Sequence, residues 1–109
     1  MHQAIYERLK SVARAGAYVT YTDIAPLAGL DMSNPDDRNK IGELLGEISI
    51  HEHQQGHPLL SVIVIHRENN IPGHGFFQLA RELNLYSGRD DLLFFIQEFE
   101  RVRHFWRNQ

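Results

Sequence analysis

The sequence predicts a mainly α-helical single domain with a small β wing. Three observations lead there. Most of the chain carries apolar residues at helical spacing, bounded by capping residues. One run, Pro58 to His66, is rich in β-branched residues instead. That run follows two helices separated by a short turn, and 109 residues suffice for one domain rather than two.

The first helix is expected over Gln3 to Ala15, because Ile5, Leu9 and Val12 recur at i, i+4 and i+7 and so share a face. Gly16 ends it. Tyr18 to Tyr21 reads as extended. Thr22 is the expected N-cap of a short helix through Ala28, with Pro26 confined to its first turn and Gly29 closing it. Asn34 caps the next helix, Pro35 takes its first position, and Asp36 and Asp37 complement the helix dipole. Its buried stripe is Ile41, Leu44, Leu45 and Ile48, and it runs to about His53. Pro58 to His66 reads as a strand buried on both faces. Glu68 to Asn70 forms a turn, and Ile71 to Gly75 a second extended piece. Two helices close the chain. The first is Phe76 to Leu85, with Phe76, Leu79, Ala80 and Leu83 on one side. The last is opened by a capping box over Ser87 to Asp90 and carries Leu92, Phe95, Ile96, Phe99, Val102 and Trp106. Helix, short helix, turn, helix, strand, turn, strand is the order of a winged helix-turn-helix. In that fold the second helix of the pair enters the major groove.

Several segments together resemble a known family. They are Ile5 to Leu9, Val19 to Ala25, Arg38 to Leu45, Pro58 to Leu60, and Val64-Ile65 with Ile71 to Gly73. They look like the C-terminal domain of alkylguanine-DNA alkyltransferases and alkyltransferase-like proteins, over about residues 5 to 76, with 77 to 109 as a C-terminal helical extension. The resemblance implies a DNA-binding winged helix. The family's tyrosine, which crowds the target phosphate and helps rotate a base outward, falls on Tyr21. Its arginine finger falls on Asn39, with Arg38 one position away. The acceptor cysteine's position holds Ser61, and the position of its activating histidine holds Val62. The chain has no Cys at all, so transfer of an alkyl group to a thiol is excluded.

Composition bears on the partners. The net charge is −3 with His neutral, so contact with DNA must rest on a local patch. Tyr21, Arg38, Asn39, Lys40, Ser61 and Arg67 are the candidate nucleic-acid contacts. Asn39 is of the type that reads adenine, whereas Asp36, Asp37, Glu43 and Glu47 on the same helix repel phosphate. A second reading is a protein-interaction or dimerisation module, with Phe94, Phe95, Phe99, Phe105 and Trp106 too many for one narrow stripe and partly free for a homodimer or partner. Arg101, Arg103, His104 and Arg107 suit an acidic partner or the C-terminal dipole of the last helix. A third reading, an acid-base site, requires His66, His74 and a carboxylate to converge. His51, His53 and His57 lack a recognised metal spacing, so no metal or cofactor is expected. No apolar leader and no membrane-length run is present, which points to a cytoplasmic protein without membrane contact.

Overall fold

The computed structural model describes residues 1–109. It contains five α-helices and two short strands: α1 (Gln3–Arg14), β1 (Val19–Thr20), α2 (Tyr21–Ile24), α3 (Pro35–Gln54), β2 (Val64–Ile65), α4 (His74–Glu82) and α5 (Asp91–Trp106). Two 3-10 turns join them: Ala25–Ala28 continues α2, and Leu60–Ile63 leads into β2. No helix is long and apolar enough to cross a membrane.

Local chemistry sets most boundaries. α1 closes at Gly16, whose φ of +68° is left-handed and suits a residue without Cβ. The cap of α2 is Thr20 and not the expected Thr22. Thr20 accepts from the Asp23 amide and Asp23 accepts from the Thr20 amide, each at 3.2 Å. Tyr21 therefore enters the helix, and β1 is only two residues long. Asn34 caps α3 as expected, accepting from the amides of Asp36 at 2.8 Å and Asp37 at 3.2 Å. At α5 the capping box over Ser87 to Asp90 does not form. Asp90 caps alone, accepting from Leu93 at 3.0 Å.

The largest correction concerns Pro58 to His66. The run is buried throughout from Pro58 to Ile65, but only Val64–Ile65 is strand, and Leu60–Ile63 is a 3-10 turn. Apolar runs do not by themselves distinguish strand from helix, and the burial on all sides is what the composition reported. The partner of β2 is also not a neighbouring hairpin strand. β2 pairs in parallel with β1, Val19 opposite Val64 and Thr20 opposite Ile65. Parallel strands need a long crossover, which α2 and α3 supply. The expected second wing strand, Ile71 to Gly75, is absent. Residues 66–71 close a loop instead, with Asn70 N–H donating to the His66 carbonyl at 2.8 Å and His66 N–H to that of Ile71 at 2.9 Å.

A single apolar cluster includes Ile5, Leu9, Ile41, Ile48, Leu60, Phe77 and Val102, drawn from α1, α3, α4, α5 and the buried run. α5 packs on both α1 and the Leu60–Ile63 turn, so the C-terminal residues share this core. Trp106, expected as a partner contact, is only 5% exposed and belongs to it. Phe94 is half-buried, its ring 4.5 Å from that of Tyr86 and nearly parallel to it. Phe95, Phe99 and Phe105 are half-buried as well. The exposed apolar residues of α5 are Leu92, Leu93 and Ile96, because the helix turns its Glu98, Val102 and Trp106 face inward.

Glu98 is the unexpected member of that face. Its side chain is 2% exposed; one carboxylate oxygen accepts from the Leu59 amide at 2.8 Å and the other from Arg101 at 2.7 Å. A charged acceptor for a buried amide is among the stronger hydrogen bonds. Glu98→Ala orphans the Leu59 N–H and is expected to cost about 2–3 kcal/mol, with Glu98→Gln costing less. Urea unfolding followed by the fluorescence of Trp106, the only tryptophan, measures both. Equal stability of wild type and Glu98→Ala would refute this role.

Candidate functional site

A cavity of about 460 Å³ opens between α3, α4 and the Leu60–Ile63 turn. Its inner wall includes Ile41, Leu45, Ser61 and Phe76, its rim Arg38, Asn39, Glu43 and Glu82. The volume falls in the range of small-molecule sites. Tyr21, Arg38, Asn39 and Ser61, separated by up to 40 positions in the chain, all line it. Lys40 and Arg67 do not; both are exposed, Lys40 pairing with Glu43 at 3.8 Å.

α3 builds this cavity by presenting two different faces. Ile41, Leu45, Ile48 and Glu52, at i, i+4, i+7 and i+11, point into the molecule and are buried. Asn39, Gly42, Gly46 and Ser49, at i, i+3, i+7 and i+10, share another face. A Cβ on Gly42 or Gly46 would meet nothing within 4 Å, so the missing side chains leave open volume. Glycine inside a helix costs about 1 kcal/mol relative to alanine, and α3 carries two. Arg38 donates to the Met32 carbonyl at 3.0 Å and braces the turn before α3, whereas the Asn39 side chain makes no hydrogen bond within the protein.

Tyr21 is fixed by two contacts. Its hydroxyl oxygen accepts from the Gly73 amide at 2.7 Å, and its ring lies 4.5 Å from that of His66, tilted by 32°. The backbone at Gly73 approaches closely: a Cβ there would sit 3.1 Å from both His66 Nε2 and the Tyr21 hydroxyl. Gly73 is thus needed for proximity, not for its dihedral angles, which are extended. Burial is the main influence on the Tyr21 phenol and pushes its pKa above the ordinary 10.0, opposed by the Gly73 hydrogen bond. The phenol is therefore neutral at physiological pH.

Ser61 is 5% exposed and bonds to Ser49, which is fully buried. The two Oγ atoms are 2.6 Å apart, and the Ser61 amide donates to Ser49 Oγ at 3.0 Å. A serine hydroxyl is not a base, so this contact does not activate Ser61 as a nucleophile. His66 lines the cavity but His74 does not; it is exposed at the start of α4, and the three groups of the acid-base reading are not brought together. His51 and His57 likewise diverge. His51 contacts Gln55 at 2.6 Å, whereas His57 contacts the buried Glu52 at 3.3 Å and lies against Phe105. No three His, Cys, Asp or Glu side chains gather as a metal site. Arg101 and Arg103 of the basic cluster pair with Glu98 and Glu100, at 2.7 and 3.0 Å.

Ser49 and Gly46 escaped the sequence reading, and His66 was considered only for acid-base work. Gly42 and Gly46, one turn apart inside a helix whose start Asn34 and Pro35 mark, were the signal for a recess; the Ser49 contact, 12 positions from its partner, left none.

Tyr21→Phe removes the acceptor of the Gly73 amide and is expected to cost about 1 kcal/mol at neutral pH. The folded-state pKa of Tyr21 is raised, so its contribution is complete below pH 10.0 and is lost as pH rises through the folded value. Denaturation in alkali should show stability falling above pH 10.0, and less steeply in Tyr21→Phe. Tyr6, raised by burial and by Glu52, and Tyr86, raised by burial and by its hydrogen bond to Asp91, supply the remaining fall. Identical alkaline slopes in the two proteins would contradict the placement of Tyr21. Compared with known proteins, the chain has no significant match to a family model, a curated protein or a solved structure.

Proposed function

We propose that this protein is a non-enzymatic DNA-binding protein on an alkyltransferase-like helix-turn-helix scaffold, working in the cytoplasm and without alkyl-transfer activity. One observation carries the reading. The resemblance singles out Tyr21, Asn39 with Arg38, and Ser61, and these residues surround one cavity. In this reading α3 lies in the major groove, the loop at residues 66–71 takes the place of the wing, and the cavity receives part of a displaced base. Arg38, Lys40 and Arg67 meet phosphates. The neutral Tyr21 phenol adds no charge repulsion there.

The acidic groups on the same side limit affinity. Asp36, Glu43 and Glu47 are exposed on α3, and only three candidate cations oppose them. Binding is therefore weak and steeply salt-dependent. Three phosphate contacts correspond to an affinity loss of about 40-fold between about 50 and 200 mM salt. A fluorescence-anisotropy titration of a labelled duplex checks this, and Lys40→Glu should both weaken binding and lower the salt slope by about one. Affinity independent of salt, or unchanged by Lys40→Glu, would sink the proposal.

A second reading, a protein-interaction or dimerisation module, is favoured by Leu92, Leu93 and Ile96, all about half exposed along α5. A concentration-dependent mass in light scattering, with no duplex binding, would transfer the assignment to it.

A further inference from the structure

α5 has an outward face that the core does not use. Glu98, Val102 and Trp106 point inward, whereas Leu92, Leu93 and Ile96 are each about half exposed. Helical spacing places Leu93, Ile96, Glu100 and Arg103, at i, i+3, i+7 and i+10, in one outward row. The row is apolar only in its first half, because Gln97, Glu100 and Arg103 are polar and exposed. Three neighbouring aliphatic side chains on a helix face that would otherwise be solvated call for cover. The charges at the two ends of this row differ in what they already contact. Asp90 caps α5, Asp91 accepts from Tyr86 and lies 3.8 Å from Arg81, and Glu100 pairs with Arg103 at 3.0 Å. Arg89, exposed in the loop just before the helix, has neither an acceptor nor an ion pair within the chain.

We infer that this face is the contact between two copies of the chain, with their α5 helices antiparallel about a twofold axis between Leu93 and Ile96. A twofold contact uses the same patch on both subunits, so the patch must complement itself. The apolar stretch is short, and this fixes the register. An axis through its middle sets Leu93 against Ile96 of the partner subunit, whereas an axis two positions further on would set Leu93 against Glu100 of the partner subunit. The midpoint of Leu93 and Ile96 lies 5.5 positions before Glu100 and 5.5 positions after Arg89. Each offset is about 8 Å along the helix. Glu100 therefore meets Arg89 of the partner subunit, and the symmetry makes this contact twice. A parallel pairing would instead bring Glu100 to Glu100 and Arg89 to Arg89. The antiparallel arrangement also opposes the two helix dipoles. The patch is far smaller than the roughly 1,200 Å² of a stable interface, so the dimer is weak, with a dissociation constant of about 100 µM. The inference rests on the second reading above and narrows it to one partner, this chain itself. It does not require that duplex DNA binds.

Sedimentation velocity at low salt tests it, over protein concentrations from about 20 µM to about 1 mM. The wild-type chain should pass from monomer to dimer across that range, and Leu93→Asp should remain monomeric. Arg89→Glu and Glu100→Arg each place like charges together at two points, and each should weaken the dimer at least about fivefold. The double variant R89E/E100R restores opposite charges and should return to within about twofold of wild type. All three positions are exposed, so the variants keep the core intact, which far-ultraviolet circular dichroism checks. A monomer at about 1 mM overturns the inference and removes the dimerisation reading with it. A dimer that survives Leu93→Asp overturns the use of this face. A dimer lost in Leu93→Asp but indifferent to the charge reversals, or a double variant no tighter than the single ones, overturns the antiparallel register and leaves the dimerisation reading standing.

Discussion

The fold depends on burying one stretch of backbone, Pro58 to Ile65, with no residue left exposed. Burial on all sides removes water as a partner for its amides, and each must find an acceptor in the protein. Three outside elements supply what this segment lacks. Glu98 of α5 accepts from Leu59, Ser49 of α3 accepts from Ser61, and β1 pairs with Val64–Ile65. A regular strand would need a continuous neighbour on at least one side, and β1 offers only two residues. The 3-10 turn at Leu60–Ile63 satisfies part of the remainder locally, with Val62 donating to Leu59 at 3.1 Å. Two of the four buried polar side chains, Ser49 and Glu98, are therefore consequences of the core and not exceptions to it.

The same segment fixes the cavity. Ser61 is the polar residue in an otherwise apolar run, and it faces the side of α3 that has lost its side chains at Gly42 and Gly46. Had those positions carried leucine, α3 would fill the space it now borders. The cavity also lies beside the Gly73 backbone, which draws Tyr21 and His66 together. Three packing choices on separate elements thus converge on one recess. The surrounding charge is mixed: Arg38 stands near Glu43 and Glu82 on the rim.

Much of the helical framework was legible in the sequence, because its signals are local. Asn34-Pro35 marked the start of α3, and Gly16 and Gly29 ended their segments. Ile5 with Leu9, and Ile41 with Leu45 and Ile48, identified buried faces by spacing alone. The β element was misread because its partner lies 45 positions away, across a helical crossover, while the turn residues after Ile65 suggested a local hairpin. The last helix was misjudged for a related reason. Its apolar residues nearly encircle it, so composition could not tell that Trp106 faces inward while Leu92 and Ile96 face outward. Tyr21, Arg38, Asn39 and Ser61 were singled out by resemblance to a family, and their shared cavity emerged only from the fold. Ser49 and Glu98 were invisible, since a polar residue on a helix gives no local sign that a distant amide requires it.

The central claim is that Pro58 to Ile65 is enclosed and that side chains from α3 and α5 hold its amides. Native-state hydrogen exchange at the Leu59 and Ser61 amides tests it most directly. The account predicts that both exchange only through global unfolding, as slowly as the amides of Leu9 and Ile48. Exchange of either amide at the rate of the Glu68–Asn70 turn would contradict it.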